Sequence, residues 1–495
     1  DLWDAWEIKQ ARKANSKNDN TGNWAPVGPF QSSNTYSSSA LKSSGQGRVN
    51  VVAVDPSNPN TYYVGAPAGG IWKSTDAGVN WAPLTDYLPQ IGVSGIAIHP
   101  TDSNTIYIAT GDDDAGDSYA VGVWKSIDGG ATWNATGAIP GNPSIMNDIY
   151  INPNNTETVV VATSTGVQKS TDGGATWKTT LSLLVNTQSN VDLKMKPGNP
   201  NIFYVVARDK FYKSIDGGSN FIEKTITGLT SSSRLAMDVT IANDAYIYLV
   251  SYLRGTGPNN NGFNGVYKSV DSGETFTKTT ETTDIFGGSQ AWYDLAITVS
   301  DVNAEIVYVG VLDIYKSTNG GNAFSKITNW TQPDSQSYVH ADIHFLRFID
   351  GKFFAGTDGG IYISTNEGLK FTDLTENLSI SQFYKISVSV QDSSILAGGL
   401  QDNGGFAFNN NSWVNYHGGD GMEGNVDPTN KNTHYGFTQY GGYLSRTVNN
   451  GANVNLQLGA PEAETGADDD GGEWVTPMAI NSKGEVYAAY SKLYK

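Results

Sequence analysis

The chain has 495 residues, 49 acidic against 31 basic, for a formal net charge of −18. That balance argues against a nucleic-acid groove and repels an anionic polymer outside a local basic pocket. There is no cysteine, which excludes disulfides, thiolate catalysis and cysteine metal sites, and no apolar run long enough for a membrane span.

Residues 1–22 read as a helical or extended leader whose Trp3, Trp6 and Ile8 lean on another surface, and 23–495 as one domain built from repeats. The start at Asp1, without initiator Met or signal peptide, fits a mature, processed product. Abundant Asn, Ser, Thr, Gly and Tyr with only 16% charged residues suit an exported protein. A strand-like phrase at 24–30 then stands alone. Further on, an apolar strand closing on proline recurs at 49–56, 94–100, 148–153 and 192–197, and looser versions begin at Arg234, Trp292 and His340.

Each of these strands is followed by one short phrase, starting at Ser74, Ser126, Ser170, Ser214, Ser269, Ser317 and Ser364. Two residues on stand Asp76, Asp128, Asp172, Asp216, Asp271, Asn319 and Asn366; a glycine follows, then Trp or Phe. The steps are 52, 44, 44, 55, 48 and 47 residues, the length of a four-stranded propeller blade and too long for a leucine-rich or ankyrin repeat. In a tight turn the acceptor side chain takes backbone N–H groups, the glycine takes positive φ, and the aromatic is buried on the neighbouring sheet. A catalytic residue is needed once; a residue needed in every blade is a determinant of the fold.

Three more blades follow without a clear box, at 386–416, 421–458 with a worn box at Ser445, and 474–495. The last offers three strands and 24–30 offers a strand without a blade. Pairing them predicts an all-β chain forming a single large propeller of about ten blades with its sheet edges hidden. The alternative is a tandem of seven-bladed propellers.

The boxes, with His340-Ala-Asp342-Ile-His344, Thr357-Asp-Gly-Gly360, Gly399-Leu-Gln-Asp-Asn-Gly404, Gly418-Gly-Asp-Gly-Met-Glu423 and Trp474-Val-Thr-Pro477, resemble the bacterial Asp-box (BNR) repeat proteins related to the sortilin Vps10 domain. That family is widespread among secreted proteins of Bacteroidetes, often with a type IX secretion sorting domain. The resemblance implies a ten-bladed ring that binds peptides and a secreted or cell-surface location. More distantly the chain is similar to the xyloglucanases of glycoside hydrolase family 74, two seven-bladed propellers that cut β-glucans in the cleft between them with an Asp pair.

Candidate chemistry lies at the entries of the inner strands. Asp148 and Asp192 stand five residues before their prolines, and Asp294 and Asp342 fall at or near the same place. They read either as an acidic ligand or cation site or as acceptors for loop N–H groups. His340, Asp342 and His344 share a face if the strand is strictly extended, a pattern able to bind zinc or iron, with His417 and Asp420 as further ligands from a neighbouring blade. Gln401, Asp402 and Asn403, facing Asp420 and Glu423 from Gly-rich loops of adjacent blades, form the best candidate pocket. Asp402 and Asp420 are the candidate acid and base of a glycosidase, or else turn residues. The acidic loops 112–117 and 462–473 read as solvated or as structural calcium sites without EF-hand spacing, and no other cofactor is expected.

The expected function is a secreted or surface propeller binding an extracellular glycan, peptide or protein at one mouth of its ring. The alternative is an endo-acting glycoside hydrolase of the family 74 type. A third reading is a part of a surface assembly or adhesin, docked through Trp3 and Trp6.

Overall fold

The computed structural model describes residue 8 and residues 25–30, 45–89, 91–183, 190–464 and 471–495. The expected leader, 1–22, lies outside them apart from Ile8. Among the described residues ten antiparallel sheets follow one another, nine of four strands and the last of three. These are blades 1 to 10, at 51–83, 93–135, 146–182, 191–224, 234–278, 296–326, 343–373, 383–417, 421–459 and 478–494. Among the described residues no helix is long and apolar enough to cross a membrane.

The second strand of a blade, as in Ile106–Thr110, Val159–Thr163, Phe203–Ala207 and Ile247–Tyr252, is buried at every position. Neighbouring blades cover both its faces, so the sequence reads as a continuous apolar run rather than an alternation. Outer strands such as Ala82–Pro83 and Thr277–Lys278 are exposed.

The boxes join the third and fourth strands and are built alike. In the first, Ser74 Oγ donates to Asp76 Oδ1 at 2.8 Å and accepts Gly78 N at 2.8 Å, while Asp76 Oδ1 accepts Asn80 N at 2.9 Å. Asn319 and Asn366 do the same work with an amide oxygen. The worn box is at Thr447, not Ser445: Thr447 Oγ1 accepts Gly451 N, and Asn449 Oδ1 accepts Asn453 N, each at 3.1 Å.

Each box also presses on the blade before it. A Cβ on Gly130 or Gly273 would meet Leu84 or Phe211 of the preceding unit at 2.5 and 2.8 Å. The Trp177 indole donates to Thr136 Oγ1 at 3.2 Å, and Phe276 packs edge-on against Phe211. For blade 1 the partner is blade 7: a Cβ on Gly78 would meet Leu374 at 2.9 Å, and Trp81 Nε1 donates to Leu374 O at 2.8 Å. Val49 N and Gln46 N bond Thr357 O and Gly359 O, and Phe345, Phe354 and Ile361 share one core with Val51, Tyr62 and Ile71. One cavity of about 90 Å³ is lined by the first strand of every blade from 1 to 7. Inside it carboxylates staple successive blades: Asp148, Asp192 and Asp238 accept Leu193 N, Met237 N and Val299 N.

Ten blades are present, as the repeat implies, but the ring closes after seven. Blades 8 to 10 follow beyond that seam; among the described residues they are three sheets, fewer than the second seven-bladed propeller of the tandem alternative. The described part of the lone phrase, 25–30, does not join the 478–494 sheet. Phe30 O accepts Asn377 N, Pro29 O accepts Ser379 Oγ and Val27 O accepts Trp413 Nε1, which lays it along the connection between blades 7 and 8.

Two measurements check this. Trp81→Ala, at the closing seam, lowers the unfolding free energy by ~3 kcal/mol in urea titrations. Asp172→Asn leaves the neutral-pH midpoint unchanged and Asp172→Ala lowers it. The Asp172 carboxyl is held down to about 2, first by the Thr176 hydroxyl and N–H and then by Ser170. Its contribution is therefore complete above about pH 4 and lost as pH falls toward 2, so Asp172→Asn flattens that part of the acid unfolding curve.

Candidate functional site

The loop that follows the second strand of blade 2, 111–118, turns into the mouth of the ring. Asp117 is exposed, but Asp112 and Asp114 are not solvated, contrary to the reading of the sequence. Asp112 is fully buried; its Oδ2 accepts Arg48 NH2 at 2.6 Å and its Oδ1 accepts Asn50 Nδ2 at 3.0 Å. Asp114 receives Arg234 NH2 and His344 Nδ1, each at 2.5 Å. Burial opposes its charge, yet Arg234 and His344 hold the carboxyl down to about 2. The loop is a plug over the channel. Deeper in, Lys194 Nζ bonds Asp192 and, at 2.8 Å, Asp148 Oδ2, while Arg347 lies 3.5 Å from Asp148 Oδ1. Asp148 and Asp192 thus serve backbone N–H groups and cations.

Above the plug, acids from the two sides meet. Asp342 and Asp358 come from blade 7 and the residues that lead into it, Asp402 from a turn of blade 8, and one oxygen of each lies within 4.8 Å of the others. Asp358 is fully buried: Oδ2 accepts the Tyr293 hydroxyl at 2.8 Å, and Oδ1 lies 3.0 Å from His344 Nε2, an ion pair without hydrogen-bond alignment. Burial works to lower His344, but Asp358 and Asp114 raise it to about 10. Asp358 is held below the usual range against its burial, chiefly by His344. Burial first, then the Asp358 charge, drives Asp402 well above its ordinary value and Asp342 up to about 7.

Close backbone approach sets the Asp402 turn. A Cβ on Gly421 would lie 2.0 Å from Gly404 O, and one on Gly399 would lie 2.2 Å from Gly421 O, so only glycine lets blades 8 and 9 come this near. Asp420 Oδ1 accepts Asp402 N at 2.8 Å. The two carboxyls are direct neighbours, not a pair facing each other across a substrate. Aromatic rings flank the acids: Trp292 is exposed beside Tyr293, and Trp474 is exposed against Tyr384 and Tyr440. The Tyr384 hydroxyl is raised by burial, then by Asp420 and Asp402.

The other candidates are dispersed. Asp342 has φ 65°, so the strand begins only at Ile343 and His340, Asp342 and His344 do not share an extended face. His340 is buried against Gly359, with Nδ1 bonded to Ala341 O. His417 is buried, its Nδ1 donates to Gly418 O, and burial lowers it to about 4. His340, Asp342, His344 and His417 are therefore not gathered into one ligand set. Asn403 is a buried clasp between ring and blade 8, accepting Gly45 N and donating to Asp358 O. Gln401 N bonds Gln382 O. Glu423 ties Lys385 to Met478 N. Asp294 is buried behind Asp342, and Gln290 Nε2 donates to both, at 3.0 and 2.5 Å. Of the loop 462–473, residues 465–470 lie outside the described residues; Glu464 bonds Ser491 and Tyr494. Sequence reasoning missed Asp358, Arg234, Tyr293 and Gln290, and read Asp114 only as one of the acids of loop 112–117. Of the missed residues only Asp358 carried a signal, in Thr357-Asp-Gly-Gly360.

No family model matches the chain. Among curated proteins it is similar to a xyloglucanase of Hypocrea jecorina, 31% identical over 123 residues, or 20% of this chain and 14% of that protein. A xyloglucanase of Acetivibrio thermocellus is 31% identical over 114 residues, 19% of this chain and 12% of its own. The chain thus matches only a small part of the length of these relatives. A glycoside hydrolase family 74 enzyme of Niastella koreensis superposes with a TM-score of 0.63 at 16% identity, covering 90% of this chain and 70% of that one. A family 74 xyloglucanase of Xanthomonas campestris gives 0.65 at 14%, covering 91% and 74%. The likeness establishes a shared propeller fold.

Asp114→Ala leaves Arg234 buried without its carboxylate and His344 with Asp358 alone, and costs ~3–5 kcal/mol in urea unfolding. Asp117→Ala, at the rim, costs less than ~1 kcal/mol.

Proposed function

We propose that the chain acts on a neutral β-linked polysaccharide laid in the cleft between the seven-bladed ring and blades 8 to 10, as an endo-acting glycoside hydrolase of the family 74 type. The observation that carries this is the meeting of carboxyls from both sides of the cleft, Asp342 from the ring and Asp402 from blade 8, beside exposed Trp292 and Trp474. Glycoside cleavage needs two carboxyl groups flanking one bond, and aromatic faces suit sugar rings. Asp402 is the proton donor, Asp342 the opposing carboxylate, and Asp420 supports the Asp402 turn. The similarity to xyloglucanases supports a β-glucan backbone as substrate, and a polymeric substrate fits an extracellular site of action.

The spacing also favours a second reading. Facing oxygens within 4.8 Å stand closer than retaining carboxyls ~5–5.5 Å apart and leave no room for the water between inverting carboxyls ~6.5–9.5 Å apart, which fits a junction that binds glycan without cutting it. Release of reducing ends from xyloglucan and unbranched β-glucans separates the two. Hydrolysis by the unmodified protein, lowered ~10²–10⁴-fold in kcat by Asp402→Asn, supports the enzyme. Retention of glycan on an affinity gel without hydrolysis supports the binder, and neither result overturns both.

A further inference from the structure

We propose that Asp342, Asp358 and Asp402 hold a divalent cation of the calcium class at the junction of the ring with blade 8, with Asp294 buried behind them. A calcium ion takes oxygens at ~2.3–2.6 Å, so two ligands of one ion stand no more than ~5 Å apart. The facing oxygens of these three side chains lie within 4.8 Å of one another.

Asp294 supplies independent support. It is fully buried, and Gln290 Nε2 holds only its Oδ2; Oδ1 has no hydrogen-bond partner. The charges that act on it are those of Asp342, His344 and Asp358, the members and neighbour of the cluster. A buried carboxylate oxygen without a donor is costly, and a cation seated on the adjoining carboxylates removes that cost. The nearby histidine does not compete for the ion, since the two ring nitrogens of His344 face Asp114 and Asp358. The donors are therefore all oxygens, which selects a hard ion over zinc.

Three carboxylates leave part of a six- to eight-fold shell for water or for hydroxyls of a ligand. The ion goes beyond the hydrolytic reading, because binding needs no cleavage.

The test is terbium titration of the chelator-treated full chain, with tyrosine and tryptophan excitation; the Tyr293 hydroxyl bonded to Asp358 is the built-in sensitiser. Saturable emission, displaced by calcium and weakened at least ~10-fold in affinity by both Asp342→Asn and Asp402→Asn, is the expected result. Asparagine accepts the left-handed backbone of both positions, φ 65° and 59°, and unchanged circular dichroism confirms folding. Absence of saturable emission, or wild-type affinity in both variants, overturns the proposal. Hydrolysis does not enter the readout, so this result stands or falls apart from the enzyme assay.

Discussion

A propeller blade is finished only by the blade before it, and the whole molecule depends on which blade serves blade 1. Its box glycine and indole seat on Leu374, in the turn that ends blade 7. That contact fixes a hub narrow enough for one loop to fill and sends the chain out of the ring at 374–382. It also sets blade 8 where Asp402 meets Asp342 and Asp358. Had the same surface been offered by blade 10, the hub would be wider and the acids of blades 7 and 8 would be consecutive members of one rim.

The hub explains how so many acids are tolerated indoors. Arg48, Arg234, Lys194, Arg347 and His344 each bond at least one carboxylate there, and backbone N–H groups of the next blade take several of the rest. Removal of one partner is worse than absence of both, because the charge left behind has no water to turn to. Asp294, Asp342 and Asp402, at the edge of this network, are the carboxyls that the cations do not reach directly, and they sit where a ligand can.

How much of this was legible in the sequence follows from what each residue touches. The boxes are local, so their chemistry and spacing announce seven blades, and an eighth box, at Thr447, escaped because threonine stands where serine was sought. Closure was not legible. Leu374 receives Gly78 in the way that Leu84 receives Gly130, and no residue type marks a seam as the last. The plug was misread because three consecutive acids resemble a solvated turn until their partners, 62 to 230 residues away in the chain, are known. Asp402 and Asp342 were legible as acids in Gly-rich or strand-entry positions, but their meeting depends on the seam, and Asp358 was hidden in a motif that reads as a hairpin.

The plug has one more effect. With Asp112 and Asp114 locked into its mouth, the ring is stoppered on this side rather than open as a tube. On the proposed reading, a polymer reaches the acids from the side and not through the ring, so access does not depend on chain termini and its internal positions are as open to the site as its tips.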